Sequence, residues 1–204
     1  MNFQKTKTLH ETSHFQLVEC GDLVGIKALF TNVVVMPFLS DDQGLPLAIG
    51  VLKEPNPFRE GGVNISLVTG TTDDEDGDLL STAQRELYEE TGLNVLDISK
   101  WYYLGSVTSS KFVDHEQPCF AVDVTGVKKE DPKTDGSEME QSAEFKFIAA
   151  NDVVKAKDIF IPGLFLKLFK YVLGTDIQGV SENMRCGRGP SMDSASQARI
   201  LPPC

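Results

Sequence analysis

The alternation of hydrophobic and polar residues predicts strands on both sides of a central amphipathic helix and a second helix after the last strand. Several runs rich in β-branched and aromatic residues have the length and composition of strands. Residues 41–44, Asp-Asp-Gln-Gly, have the composition of a turn between the first two runs. The predicted strands span residues 32–39, 47–53, 63–68, 101–107, 118–124 and 144–148.

The central helix is predicted between Asp78 and Gly92. Leu80, Ala83 and Leu87 recur at i, i+3 and i+7, which places them in one apolar stripe. Asp78 suits the N-cap or the first turn, where the helix dipole favours an acid. Gly92 suits the left-handed position that follows many helices. We therefore expect this helix to pack on a core through one face and to present its other residues to a cleft.

The second helix is predicted over residues 161–173. Pro162 is compatible with its first turn, and Gly174 with its end. Its apolar face is wide enough to pack on a sheet, which is the usual role of such a face. Membrane association is the alternative, but Lys167 and Lys170 alone are weak evidence for it. The apolar face comprises Leu164, Phe165, Leu168, Phe169 and Val172.

Three carboxylates lie together on the central helix. Glu86, Glu89 and Glu90 stand at i, i+3 and i+4, so they share one side of the helix and repel each other. A divalent cation would turn this repulsion into attraction, and carboxylate oxygens suit Mg²⁺ or Mn²⁺. The alternative is a solvated acidic face, but the pairs Arg-Glu and Glu-Glu followed by glycine favour the metal site.

Charge and composition exclude several classes of function. The 204-residue chain has a net charge of −11, and residues 71–93 carry −7 of it, from eight acids and one base. An acidic surface repels nucleic acids, so general DNA or RNA binding is not expected. The sequence shows neither a membrane-spanning stretch nor a secretory signal. Its four scattered cysteines suit reduced thiols, and a cytoplasmic location is expected.

The segment from Arg85 to Leu93 resembles the second half of the Nudix hydrolase signature, Gly-x5-Glu-x7-Arg-Glu-U-x-Glu-Glu-x-Gly-U, where U is a bulky aliphatic residue. The first half of the signature departs from the pattern. Gly77 occupies the position of the first glutamate, which in the family supports the site and pairs with the arginine. Asp78 and Glu75 are the nearest acids that could replace it. Thr71 occupies the position of the first glycine, one residue after Gly70. The matching residues are Arg85, Glu86, Leu87, Glu89, Glu90, Gly92 and Leu93.

The resemblance implies an α/β/α sandwich with a mixed sheet, the acidic helix on one side and the C-terminal helix on the other. Residues 30–177 would form the Nudix domain, preceded by an extension, residues 1–29, whose strands pack on the core. Residues 178–204 are rich in Ser, Gly, Pro and Arg, a composition that predicts a disordered tail. The resemblance also allows a homodimer.

The resemblance further implies a metal-dependent pyrophosphohydrolase that acts on a small nucleotide substrate. Glu86, Glu89 and Glu90 would hold Mg²⁺ or Mn²⁺ together with the carbonyl of Gly70, and Arg85 would orient the glutamates. Glu89, Glu90 or an acid of the polar loop at residues 128–141 would act as the base. Glu140 is the candidate from that loop. Alternatively, the loop is a flexible acidic segment that supplies no residue to the site.

Residues 68–73 are similar to the corresponding loop of ADP-ribose and ADP-sugar pyrophosphatases, so ADP-ribose is the first candidate substrate. NADH, dinucleoside polyphosphates, nucleoside triphosphates and capped RNA are alternatives. A Nudix-fold binding module with little turnover is the alternative function, because Gly77 replaces a glutamate of the signature. His115 lies in a polar loop predicted over residues 108–117, where it either contacts phosphate or is a surface histidine without a role.

Overall fold

The strands form two separate sheets in the computed structural model, which describes residues 6–58, 60–132 and 142–174. The predicted tail at residues 178–204 and the candidate base Glu140 therefore lie outside the described residues. The strands are β1 (Lys7–Glu11), β2 (Phe15–Cys20), β3 (Leu23–Ala28), β4 (Asn32–Ser40), β5 (Pro46–Pro55), β6 (Val63–Ser66), β7 (Val68–Thr71), β8 (Trp101–Thr108), β9 (Val113–Asp114), β10 (Glu116–Asp123) and β11 (Glu144–Ala149). The helices are α1 (Leu79–Thr91), α2 (Phe160–Leu173) and two short 3-10 helices, Ile98–Lys100 and Ala150–Lys155.

The larger sheet is mixed, as predicted. Its strand order is β11-β5-β4-β10-β8, with β6 paired to β5 and β7 paired to β4. Strands β4 and β10 are parallel, and the other pairs are antiparallel. The prediction of one strand over residues 63–68 was wrong, because the chain changes partner at Leu67, from β5 to β4. The hydrophobic pattern continues across this point and so could not reveal the change.

The smaller sheet contains the N-terminal strands in the order β1-β2-β3-β9. Strand β9 lies within the loop predicted over residues 108–117, where it pairs in parallel with β3 through Ile26 and Val113. Many apolar residues of this sheet are exposed, whereas the buried hydrophobic residues among those described all lie at or after Val33. These strands therefore add a layer outside the main core.

The two helices cover opposite faces of the larger sheet, which confirms the predicted α/β/α arrangement. Alternate residues of β4 point to opposite faces, as the two-residue repeat of a strand requires. Val33 and Val35 pack on the side of α1, and Val34 and Met36 on the side of α2. The buried helix residues that complete the two cores are Leu80, Ala83 and Leu87 of α1 and Ile161, Leu164 and Leu168 of α2.

Both ends of α1 are fixed by the residues that the sequence indicates. Asp78 Oδ1 accepts a hydrogen bond from the backbone N–H of Ser81 at 2.8 Å. Gly92 adopts the left-handed conformation at φ 73°, and its N–H donates to the carbonyl of Tyr88. Within the described residues, neither helix is long and apolar enough to cross a membrane. The caps set the position and length of the helix that carries the candidate catalytic glutamates.

Replacing Asp78 with alanine is expected to lower the free energy of unfolding by about 1 kcal/mol, because the first turn of α1 loses its N-cap. Urea denaturation followed by circular dichroism measures this loss. Asp78→Asn is the matched control, since asparagine accepts the same hydrogen bond. Equal stability of Asp78→Ala and the parent would show that the cap contributes nothing.

Candidate active site

A single arginine, Arg85, connects the acidic face of α1 to the loop that precedes the helix. Its Nη1 donates to Glu86 Oε1 at 2.8 Å and to Glu89 Oε2 at 2.9 Å. Its Nε and Nη2 donate to the two carboxylate oxygens of Asp76 at 3.1 and 2.9 Å. Nη2 also donates to the carbonyl of Thr71 at 2.9 Å. The guanidinium thus fixes two of the three predicted glutamates relative to the loop and to β7.

Asp76, which the sequence analysis did not single out, also belongs to this group of contacts. Besides its contacts with Arg85, its Oδ2 accepts from the N–H of Asp73 and from the hydroxyl of Thr82, both at 2.9 Å. Its side chain is only 9 % exposed. The hydrogen bonds from Arg85 are the main reason that the pKa of Asp76 falls from 3.8 to about 2, and the same pairing raises the pKa of Arg85.

Neither acid proposed for the missing signature glutamate pairs with Arg85. Asp78 is used as the N-cap of α1, and Glu75 is exposed on the loop. Asp76 reaches the arginine because the loop turns back on itself, with the N–H of Asp76 donating to the carbonyl of Asp73. An aspartate at each end of a four-residue segment is a turn signal that could have indicated this residue.

Gly70 leaves room for the carboxylate of Glu86. It lies in β7 opposite Val33, next to α1. A Cβ atom built on Gly70 would overlap the Cδ, Oε1 and Cγ atoms of Glu86. A larger residue here would push the Glu86 side chain away from the strand, so glycine allows the close approach that brings two of the predicted metal-ligating residues together.

Replacing Gly70 with alanine is expected to reduce turnover about tenfold, because the added methyl group must displace Glu86 from β7. Initial rates at saturating substrate measure the effect. Gly77→Ala is the matched control, since a Cβ there meets nothing within 4 Å. The interpretation fails if both alanine variants keep the parent rate.

The residues fit a divalent cation by charge and donor chemistry. Four carboxylates lie within 3.6 Å of Arg85, whose single positive charge leaves the group at −3; they belong to Asp73, Asp76, Glu86 and Glu89. Such oxygen donors suit Mg²⁺ and Mn²⁺. Among the described residues, no three acidic, histidine or cysteine side chains are grouped closely enough to form a set of metal ligands.

The remaining candidates lie apart from this group of contacts. His115 packs edge-on against Phe30 at 5.0 Å, and its Nε2 is buried without a hydrogen-bond partner in the described part of the chain. Burial lowers the pKa of His115. Trp101 of β8, an aromatic residue with the size to stack on a base, is 1 % exposed and donates its indole N–H to the carbonyl of Val95. It is therefore a core residue.

Comparisons with known proteins bear on the family and the fold of the chain. The family model of the NUDIX domain matches residues 30–168. A solved structure described as "Crystal structure of ADP compounds hydrolase" is similar in fold, with a TM-score of 0.61 and 13% sequence identity. The match covers 85% of this chain and 94% of that chain, and at this identity it establishes the fold alone. A search of curated proteins by sequence found no match.

Proposed function

The chain belongs to the Nudix hydrolase family, and on this premise we propose that it hydrolyses the phosphoanhydride of a nucleoside diphosphate linked to another group, with Mg²⁺ or Mn²⁺ as cofactor. The observation that supports the proposal most is the arrangement of carboxylates around Arg85. Glu86 and Glu89 are held 2.8 and 2.9 Å from its Nη1, and Asp76 holds the other side of the guanidinium. The guanidinium therefore holds carboxylates on both of its sides in a defined arrangement before a substrate binds.

Glu86, Glu89 and Glu90, with the carbonyl of Gly70, are the groups proposed to hold the cation. The cation would supply positive charge for the diphosphate and make water more acidic. The chain itself contributes orientation, because Arg85 restrains Glu86 and Glu89, and Gly70 allows the side chain of Glu86 to lie against β7. These restraints reduce the loss of entropy on reaching the reactive geometry.

The proton of the attacking water must go to a base in the site. Water adds to one phosphorus, the phosphoanhydride P–O bond breaks, and the second phosphate leaves with the electron pair of that bond. A carboxylate of Glu89 or Glu90 is proposed to accept the proton. Glu89 is 29 % exposed, so water can reach it.

ADP-ribose is the proposed substrate, with AMP and ribose 5-phosphate as products. The similarity of residues 68–73 to the loop of ADP-ribose pyrophosphatases supports this choice, and the structural neighbour is described as acting on ADP compounds. We expect AMP release in Mg²⁺ or Mn²⁺ and its loss when a chelator removes the metal. Chromatography of products from a panel of nucleoside diphosphate derivatives, with and without metal, measures both effects.

A nucleotide-binding module with little turnover is the second candidate, suggested by Gly77 at the position of a signature glutamate. Asp76 weakens this alternative, because Arg85 has a carboxylate partner despite the substitution. Binding of ADP-ribose without product in any metal would favour the module. AMP release by the parent protein would exclude it.

A further inference from the structure

A buried threonine connects α1 to the loop that precedes the helix. Thr82 is 0 % exposed, although its side chain carries a hydroxyl. A hydroxyl removed from water is costly unless it forms a hydrogen bond inside the protein. Thr82 precedes Arg85 by three positions and Glu86 by four, so it lies on the side of α1 that carries them. Its hydrogen bond is therefore made next to the candidate active site.

The hydroxyl of Thr82 has one proton and two possible acceptors. Its Oγ1 lies 2.9 Å from Asp76 Oδ2 and 3.3 Å from the carbonyl oxygen of Asp78. The carbonyl contact is the local one that threonine makes within many helices, to the residue four positions earlier. An ionised carboxylate is the stronger acceptor, and here it is also the nearer one. The hydroxyl therefore donates to the loop rather than to its own helix.

Thr82 is the short link between Asp76 and α1. The N–H of Asp73 also donates to Asp76 but belongs to the same loop. Arg85 donates to Asp76 from α1, but through a long side chain with several rotatable bonds. The β-branched side chain of Thr82 has a single carbon–carbon torsion, which a helix restricts to few rotamers. The hydroxyl thus fixes the position of Asp76 relative to the helix backbone.

A displacement of Asp76 is passed on to the glutamates through Arg85. The guanidinium has five N–H donors in one plane. Two of them donate to Asp76, two to Glu86 and Glu89, and the fifth to a backbone carbonyl of β7. Because these donors are rigidly joined and all are in use, Arg85 cannot follow a displaced Asp76 without changing its contacts with the glutamates. The hydroxyl of Thr82 therefore helps to place both glutamates.

We propose that Thr82 is a positioning residue of the candidate active site, which holds Arg85 in place against the glutamates by fixing Asp76. The inference rests on the proposed function, since positioning matters only if these glutamates serve the reaction. It assigns a role in turnover to a buried residue that precedes the segment from Arg85 to Leu93. The expected effect is on rate rather than on substrate binding, because the hydroxyl is enclosed by protein and donates to a carboxylate.

Thr82→Val tests this role, since valine has the shape of threonine without its hydroxyl. It is expected to lower kcat for ADP-ribose about fivefold with little change in KM, a loss below the roughly ten- to hundredfold typical of removing a group that orients metal ligands. The loss is smaller because Asp76 remains and keeps its bonds to Arg85. Thr82→Ser keeps the hydroxyl and should retain most of the rate. Thr91→Val is the matched control, because Thr91 is also 0 % exposed on α1 but donates to the carbonyl of Leu87 within the helix.

The pKa of Asp76 provides a measurement that needs no turnover. It is lowered from 3.8 to about 2 mainly by the hydrogen bonds from Arg85, and the hydroxyl of Thr82 contributes to the same lowering. NMR titration of the Asp76 carboxyl carbon should therefore give a higher pKa in Thr82→Val and a pKa close to that of the parent in Thr82→Ser. Circular dichroism confirms that each variant is folded, and Thr82→Ala replaces Thr82→Val if valine prevents folding.

A double variant separates positioning from a general loss of stability. Thr82→Val should slow the parent, but it should not slow Asp76→Ala further, because the residue through which it acts is already missing. An equal loss in both backgrounds would overturn the inference. A Thr82→Ser variant as slow as Thr82→Val would do the same, since the hydroxyl would then be irrelevant.

These outcomes are distinguishable from failure of the proposed function. If the parent releases AMP from ADP-ribose and Thr82→Val keeps its rate, the reaction stands and the positioning role is wrong. If the parent hydrolyses no nucleotide, the proposed function fails, and the link between the two residues is judged by the pKa of Asp76 alone. An unchanged pKa in Thr82→Val would then overturn the link as well, whereas a raised pKa would establish it.

Discussion

Replacing Glu89 or Glu90 with glutamine is expected to reduce AMP release from ADP-ribose by roughly a hundredfold or more, as loss of a general base usually does. Each substitution removes one negative charge from the acidic face and leaves the size of the side chain almost unchanged. Glu89 is also an ion-pair partner of Arg85, so its loss leaves that guanidinium with fewer acceptors. Initial rates in Mg²⁺ and Mn²⁺ measure the effect.

The control for both variants is Glu116→Gln, which removes the same charge from an exposed position at the start of β10. This variant should keep the parent rate, whereas a general effect of net charge would slow all three. Calorimetric binding of Mn²⁺ provides a second measurement, with weaker binding expected in Glu89→Gln and Glu90→Gln only. Parental rates in both would remove these residues from the proposed mechanism.

The sequence predicts α1 well because the signals for it are local. The apolar stripe, the N-cap Asp78 and the terminal Gly92 all lie within one helix length, and each acts through neighbours in the chain. The acidic face follows from the same periodicity. A helix whose start, end and buried side are all specified by neighbouring residues can therefore be located from sequence alone.

Contacts between residues that depend on how the chain folds back on itself are harder to predict from the sequence. Asp76 lies nine residues before Arg85, and their contact depends on the turn between Asp73 and Asp76 rather than on a regular repeat. The change of strand partner at Leu67 is of the same kind, since both halves of the segment are suitable strands.

Replacing Asp76 with asparagine is expected to reduce turnover by roughly ten- to a hundredfold, the usual effect of removing a group that orients the ligands of a metal site. The neutral side chain keeps its size, but the charge-assisted hydrogen bonds to Arg85 weaken. Without this anchor the guanidinium can move, and Glu86 and Glu89 lose the restraint that it provides. Rates at saturating substrate measure the loss, and Glu75→Gln, on the exposed part of the same loop, is the control.

The ionisation of Asp76 also makes a distinct contribution to stability. Its pKa is lowered from 3.8 to about 2 in the native state, so its stabilising effect is present above about pH 4 and is lost as the pH falls toward 2. Urea denaturation between these pH values should show a smaller decrease in the free energy of unfolding for Asp76→Asn than for the parent. Identical pH dependence in the two proteins would show that the ion pair with Arg85 does not stabilise the fold.

A second substitution tests whether Asp76 has the role of the missing signature glutamate. Position 77 has space for a side chain, since a Cβ on Gly77 meets nothing within 4 Å. Gly77→Glu should therefore restore much of the turnover when it is added to Asp76→Asn, because a carboxylate again becomes available to Arg85. Added to the parent protein, Gly77→Glu should change the turnover little, since Arg85 is already paired with Asp76 there. A double variant that stays as slow as Asp76→Asn, although folded, would mean that the position of the aspartate in the turn matters and not only its charge.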